Sequence, residues 1–269
     1  MLREKYAELD EGGDAIFAGG EDFITNLVSG AKQQSSDATT GNYNHVWVPD
    51  RDFIDNRTSL ITDPPDGRLP PMTPAAKQRQ AAAAERRRLH PADGPEDRSL
   101  VERCLAMGVP RKMLTAPAYN NYTQIFQSRD HVVILMEMAH DARIIPLTGG
   151  AVPTAMPQWH GISRGRFEGD TLVIETASFS PKSDFLGSNE GLRIIERLTR
   201  VSPDRIQYEV TTSDPSTWEK HWTGMAIFNR TDDAVYEYAC HEGNHGMIGI
   251  LAGARAEENA VAINPSSVR

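Results

Sequence analysis

The chain has 269 residues, a formal net charge of -9 and a pI near 5.4. Nucleic acids and anionic membranes bind basic surfaces, so this acidic balance argues against both as the main partner. No stretch of about 18 apolar residues occurs, and we therefore predict no membrane insertion. The length is sufficient for one large domain or two small ones.

Cys104 and Cys240 are the two cysteines of the chain. Two are too few for a disulfide scaffold, so we expect buried free thiols, with one disulfide between them as the alternative. The start, MLREKYAELDEGGD, lacks the apolar core of a secretion signal. The chain as given predicts a cytoplasmic location, and a periplasmic one if a leader was removed. No CxxC, HExxH, Walker or GxGxxG motif encodes a standard zinc or nucleotide site.

Residues 1–45 are polar and rich in Gly, Ser, Asp and Gln, which predicts an N-terminal arm that is partly disordered. Residues 46–269 are predicted to form a single domain. Thr73 and Pro74 supply a cap and a first-turn proline for a helix at 74–90. A C-terminal helix is predicted at 244–260, where Gly249 and Gly253 would allow close approach to another backbone.

The sequence from residue 122 onward is a series of short strand-like runs joined by turn formers. Short links cannot make parallel crossovers, so the predicted sheet is antiparallel. The strands are expected at 122–126, 132–138, 142–147, 161–167, 171–177, 192–201, 205–212, 221–229 and 234–240. About eight or nine such strands normally close on themselves, which predicts a mainly β fold, a lipocalin-like β-barrel able to hold a small ligand.

Two of the predicted strands end in clusters of carboxylates and imidazoles. The first cluster contains Glu137, His140 and Asp141, and the second contains Glu237 and His241. A carboxylate beside a histidine can orient the imidazole for proton transfer near neutral pH. We predict that the two strand ends meet at the barrel mouth and that these five residues are catalytic.

Strand alternation places Glu137 and Glu196 on apolar faces. A carboxylate in an apolar site has a raised pKa unless a charge or donor compensates, so each needs a partner or acts as an acid. Arg143 is the nearest candidate partner for Glu137 or Asp141. For Glu196, a structural Glu–Arg network is the alternative to a role in the site.

Further polar side chains near these strand ends are predicted to bind the substrate. They are Asn120, Asn121, Tyr122, Arg143, Glu196 and Tyr238. His241 and His245 have the spacing of two metal ligands on a helix, and His140 or Glu137 would be the third ligand. Gly243 argues against a regular helix there. His160 is expected to be a loop or strand-end residue.

Five phrases occur in fixed order between residues 56 and 258. They are RTSLITDPPDGRLPPMTP, GPEDRSLVERC, MAHDARIIPL, SRGRFEGDTLVIET and YEYACHEGNHGMIGILAGARAEE. Together they resemble a family of bacterial proteins, many of them exported. The resemblance implies no activity and no catalytic residues. The family usually has QWMGDSRGRWEGD and CHEGNY, so His160 and His245 are departures, which favours His140 and His241 as the shared part of any site.

These features predict a small-molecule enzyme that uses histidine and carboxylate acid–base catalysis on an apolar substrate in a barrel cavity. Isomerase, lyase (dehydratase) or cyclase chemistry fits, because each moves protons in a shielded cavity without a covalent intermediate. No cofactor is expected, and a homodimer is compatible with the composition. Two alternatives stay open: a haem- or lipophilic-ligand-binding barrel without turnover, and a metal-dependent hydrolase that holds a divalent metal.

Overall fold

A computed structural model of the chain describes residues 57, 59–105, 111–114, 120–147, 150–153 and 156–263. The chain divides into two compact units, residues 1–57 with 116–122 and residues 58–115 with 123–269. The predicted arm at 1–45 lies outside the described residues. Asn120, Asn121 and Tyr122 belong to the first unit, where Asn120 has a left-handed backbone with φ of 53°.

The second unit is mainly β, as the sequence predicts. Its strands among the described residues, in chain order, are β1 Ile61–Asp63, β2 Thr123–Gln127, β3 His131–Met136, β4 Ala142–Pro146, β5 Ile162–Glu168, β6 Thr171–Ala177, β7 Arg193–Ser202, β8 Arg205–Ser213 and β9 Trp222–Asn229. The strands from β2 to β9 agree with the predicted ones to within two residues at either end.

The strands form two antiparallel sheets. One sheet has six strands in the order β1-β9-β8-β7-β6-β5, and the other has three in the order β2-β3-β4. Neither sheet closes into a barrel among the described residues, so the lipocalin-like closure is not confirmed. β4 and β5 end their respective sheets, and no backbone pairing between them joins the two ladders.

In the part of the chain that the structure describes, three α-helices accompany the sheets: α1 Pro74–Leu89, α2 Arg111–Leu114 and α3 His245–Ile263. α1 begins as predicted, because the Thr73 hydroxyl accepts a hydrogen bond from the Ala76 N–H and Pro74 occupies the first turn. No helix among the described residues is both long enough and apolar enough to cross a bilayer.

Both sheets contribute to one apolar core. In β3 every second side chain is buried, and in β7 and β8 the buried side chains likewise alternate with less buried ones. The buried members of this core are Met113, Leu114, Val132, Ile134, Met136, Ile145, Leu172, Ile174, Phe179, Phe185, Leu192, Ile194, Leu198, Tyr208, Val210, Trp218 and Trp222. Side chains from the two sheets therefore pack against one another in a shared core.

The predicted strand at 234–240 is wrong. Residues 231–239 are irregular, and residues 240–243 form a turn before α3. Long-range links hold this segment, among them the bond from the Tyr236 N–H to the Glu137 side chain and the disulfide from Cys240 to Cys104. The face assignment based on strand alternation therefore does not apply to Glu237, Tyr238 or His241.

The disulfide between Cys104 and Cys240 corrects the expectation of two free thiols. It brings the segment before α3 to the turn at residues 99–105. The Asn244 side chain adds a hydrogen bond to the Glu102 carbonyl, and Arg255 bonds to the carbonyls of Ala92 and Asp93. α3 is therefore fastened to the region between α1 and α2. No described residue outside α3 lies within 4 Å of a Cβ added at Gly249 or Gly253, so the predicted close contact with another backbone is not found among the described residues.

Candidate functional site

A cleft of about 350 Å³ lies beside β4, the turn at residues 158–161 and the first residues of β5. This volume is at the lower end of the range for small-molecule sites. The lining residues are Asp141, Ala142, Arg143, Ile144, Pro146, Gln158, Trp159, His160, Gly161, Ile162, Ser163 and Arg164. Two predicted site residues, Asp141 and Arg143, are among them.

Asp141 and His160 form the titratable pair of this cleft. The imidazole Nε2 of His160 lies 3.5 Å from Oδ2 of Asp141, and both side chains are about three-quarters buried. Oδ2 of Asp141 is inaccessible and has no hydrogen-bond partner among the described residues. The sequence predicted His140 as the imidazole beside Asp141, but His160 is the one in contact.

Burial shifts the pKa of both groups toward their neutral forms. Desolvation raises the pKa of Asp141, and the charge of His160 opposes this only in part. Desolvation lowers the pKa of His160, the Asp141 charge opposes it, and the nearby Arg143 charge lowers it further. In the exposed Asp130–His131 pair, the hydrogen bond from His131 lowers the pKa of Asp130 instead. The pKa values of the two aspartates therefore shift in opposite directions, because desolvation is the largest cause at Asp141 and a hydrogen bond is the largest cause at Asp130.

The path of the chain between β4 and β5 brings Asp141 and His160 together. Asp141 lies just before β4 and His160 lies before β5, so their contact places the starts of the two strands together. Further along the same strands, Gly165 of β5 lies next to Ile145 of β4, because a Cβ added at Gly165 would be 3.0 Å from the Ile145 side chain. The two strands therefore run side by side in the same direction. In a simple antiparallel meander their first residues would lie at opposite ends, which is why the sequence did not predict this pair.

Gly161 shapes the turn that presents His160. Its φ is +68°, and an added Cβ would lie 2.7 Å from the carbonyl oxygen of Ala177. An L side chain is disfavoured at this φ and has no space here. The Gly161 N–H also bonds to the Gln158 carbonyl, which closes the turn. The Trp-His-Gly sequence directly before a strand was the local signal that could have indicated His160.

Arg143 is fixed by the buried Glu196 of the six-stranded sheet, and Tyr208 of the same sheet bonds to Glu196. Its guanidinium donates two hydrogen bonds to the Glu196 carboxylate, at 3.1 and 2.5 Å, and the Tyr208 hydroxyl donates a third at 2.8 Å. Burial, followed by the Glu196 charge, holds the pKa of Tyr208 well above its ordinary value. Glu196 thus belongs to a Glu–Arg network, the structural alternative considered for it, and Arg143 pairs with Glu196 rather than with Glu137 or Asp141.

The remaining predicted catalytic residues lie outside this cleft. Glu137 is fully buried at the end of β3, and its Oε1 accepts the Tyr236 N–H at 3.1 Å, so the two polar segments do meet at one point. His140, Glu237 and His241 are exposed, and Tyr238, which was predicted to bind the substrate, is half-buried. The contact between the two segments is therefore made by a carboxylate and a main-chain amide.

The predicted metal ligands do not converge. Among the described residues, no three His, Cys, Asp or Glu side chains are arranged so that they could hold a metal ion. His140, His241, His245 and Glu137 are all within the described part of the chain. His241 lies in the turn before α3 and His245 is the first residue of α3, so the two do not share a regular helix.

Comparison with family models, with curated proteins and with solved structures found no match.

Proposed function

We propose that the cleft beside β4 is the active site of an enzyme that moves a proton on a small molecule. The observation that carries this proposal is the 3.5 Å contact between His160 and Asp141, inside a cleft where both side chains are about three-quarters buried. Lowering the pKa of His160 leaves its imidazole neutral at neutral pH, which is the state a general base requires.

The three charged groups of the cleft have complementary roles in this proposal. Asp141 orients the His160 imidazole through Nε2, which leaves Nδ1 to take a proton from the substrate and to return it. Arg143, held by Glu196, which in turn accepts the Tyr208 hydroxyl, provides positive charge for an oxyanion that develops beside the base. Removal of a proton next to a carbonyl, followed by isomerisation or elimination, fits this set and needs no covalent intermediate.

Deuterium incorporation provides a direct test. The protein is incubated in D2O with a panel of small carbonyl compounds, and exchange at the carbon next to the carbonyl is followed by proton NMR. We expect exchange that is lost in His160→Gln and in Asp141→Asn. His221→Gln is the matched control, because His221 lies 3.6 Å from Asp63 in an exposed pair. If exchange persists in His160→Gln but is lost in His140→Gln or His241→Gln, the proposal is wrong and the catalytic histidine is one of those that the sequence indicated.

A second measurement does not depend on knowing the substrate. The Asp141 charge raises the pKa of His160, so Asp141→Asn should lower that pKa further. Titration of the His160 ring signals by NMR in both proteins measures this directly. An unchanged His160 pKa would contradict the proposed pair.

Closure of the two sheets into a lipocalin-like barrel is a separate proposal. It would require backbone pairing along the outer edge of β4. Met136 N–H bonds to the Asp141 carbonyl and Leu147 N–H bonds to the Asp130 carbonyl, so Asp141 and Leu147 are hydrogen-bonded to the β3 side. Because hydrogen-bonded residues alternate along an antiparallel strand, the amides of Ala142 and Ile144 point to the opposite, outer edge of β4. Slow hydrogen exchange of these two amides would support closure, and fast exchange would contradict it.

A further inference from the structure

The three-stranded sheet has an apolar outer face. Phe126, Val133 and Ile144 lie directly opposite one another on β2, β3 and β4, and we call them the outer apolar row. Phe126 is 49% exposed and Ile144 64% exposed. Beside the row, the half-buried Leu135 lies opposite Ala142. With neighbouring strands about 4.8 Å apart, the row extends roughly 10 Å across the sheet.

The outer apolar row is continuous with the cleft. Ile144 belongs to both, and Ala142, on the same face of β4, also lines the cleft. A molecule whose polar part occupies the cleft therefore has exposed apolar surface directly beside it. Contiguous exposed apolar surface of this kind is characteristic of ligand grooves and of interaction sites.

Two guanidinium groups define the chemistry of the polar end. Arg143 Nε is buried and has no hydrogen-bond partner among the described residues, although the rest of the group bonds to Glu196. Arg164 also lines the cleft, and its guanidinium donates a bond to the carbonyl of Ser163. Guanidinium groups bind carboxylates with charge-assisted hydrogen bonds. An anionic head group is thus favoured at this end.

We infer that the substrate class of this site is a carboxylate-bearing amphiphile. Its carboxylate lies against Arg143 and Arg164 in the cleft, and its apolar chain passes the outer edge of β4 and lies across Phe126, Val133 and Ile144 on the other face of the sheet. This assignment rests on the proposed function, because it places the carbon next to the carboxylate beside His160. It extends that function by naming the ligand and the surface that selects it.

Binding of straight-chain carboxylates, from butanoate to decanoate, tests the inference by isothermal titration calorimetry on the full chain. We expect affinity to rise about twofold to fourfold for each added methylene, the gain for moving a methylene from water to an apolar surface. Ile144→Ser and Phe126→Ser should flatten this dependence. Ile248→Ser is the matched control, because Ile248 is 70% exposed on α3 and does not line the cleft. The corresponding alkanamides should bind at least about tenfold more weakly, since they lack the charge that the guanidinium groups bind.

Three results would overturn the inference. Affinity that does not depend on chain length, or depends on it equally in Ile144→Ser, excludes the outer apolar row. Equal affinity for amides excludes the carboxylate head. A dimer that dissociates in Ile144→Ser, with no carboxylate binding, assigns the row to a second copy of the chain.

These assays do not require turnover, so the two proposals can fail separately. Loss of chain-length dependence, with the His160 pKa still responding to Asp141→Asn, overturns the substrate class alone. If affinity depends on chain length but the His160 pKa does not change in Asp141→Asn, the proposed proton transfer is wrong and the binding site for the amphiphile still stands.

Discussion

The Glu137 carboxylate accepts a hydrogen bond from the main-chain N–H of Tyr236 at 3.1 Å, although 99 residues separate them in sequence. Glu137 is fully buried at the end of β3, whereas residues 231–239 follow an irregular path. A side chain thus supplies the partner that a neighbouring strand would otherwise provide. This contact and the disulfide at Cys240 hold the segment before α3.

Replacing Glu137 should weaken the fold measurably. Glu137→Ala removes a buried acceptor and leaves the Tyr236 amide without it, which we expect to lower the free energy of unfolding by about 2 to 3 kcal/mol. Urea denaturation measures the loss. Glu237→Ala, the same change at an exposed position in the held segment, is the control and should have little effect. Equal losses in the two variants would contradict this account.

Removing one member of the Arg143–Glu196 pair should lower the free energy of unfolding more than replacing both members with apolar residues. Glu196→Gln or Arg143→Gln leaves one buried charge without its partner, and we expect a loss of about 3 to 5 kcal/mol. The double variant Arg143→Met, Glu196→Leu removes both charges and should lose less than either single change. Arg197→Gln, in an exposed pair with Glu168, is the control for removing an arginine and should stay close to the wild type.

Alanine substitutions at two glycines with similar φ angles distinguish the cost of a steric clash from the cost of a left-handed backbone. Gly161 (φ +68°) would place a Cβ 2.7 Å from the Ala177 carbonyl, whereas Gly169 (φ +60°) has open space. Gly169→Ala should therefore cost about 1 kcal/mol from the left-handed backbone alone. Gly161→Ala should cost more and should also shift the NMR signals of His160. Equal thermal stability of the two variants would show that the turn at residues 158–161 adapts without strain.

Loss of the disulfide should free the segment before α3. Cys104 and Cys240 are 136 residues apart, and cross-links across long loops stabilise proteins by about 2 to 5 kcal/mol. We expect Cys104→Ser, Cys240→Ser to lose stability in that range and to be cleaved faster by protease within residues 231–244. Wild-type protein treated with reductant should match the double variant. A double variant with wild-type stability and protease resistance would contradict this role.

The cleft pair should make stability depend on pH in opposite directions. The His160 pKa lies below its ordinary value of 6.5, so below that pH the unfolded chain takes up a proton that the folded chain refuses. As a result, His160 does not lower the free energy of unfolding above pH 6.5. The free energy of unfolding decreases as the pH falls from 6.5 toward the pKa of His160 in the folded protein. The Asp141 pKa lies above its ordinary value of 3.8, so its contribution is complete below 3.8 and falls as pH rises.

Chemical denaturation at a series of pH values separates the two contributions. His160→Gln should lose less stability than the wild type on acidification just below pH 6.5. Asp141→Asn should lose less stability than the wild type as the pH rises above 3.8. His221→Gln, which removes an exposed imidazole, controls for loss of a histidine. A His160→Gln curve parallel to the wild type would indicate an unshifted imidazole.

Local chemistry in the sequence was sufficient for most of the secondary structure. Short strand-like runs joined by turn formers indicated strands β2 to β9, and the Thr73–Pro74 pair indicated the start of α1. The same reasoning failed at residues 234–240, where Tyr236 and Cys240 are held by partners that are distant in sequence. Strand propensity operates over a few neighbouring residues and contains no information about such partners.

The choice of partners was decided only by the tertiary structure. The sequence alone indicated an acidic, mainly β chain with Glu137 and Glu196 on apolar strand faces that disfavour an unpaired charge, and with Asp141 and Arg143 in a polar cluster near a strand end. It did not indicate that Arg143 meets Glu196 or that Asp141 meets His160. Those pairs depend on β4 packing beside β5 in the same direction, and packing is set by the fit of two surfaces that are far apart along the chain.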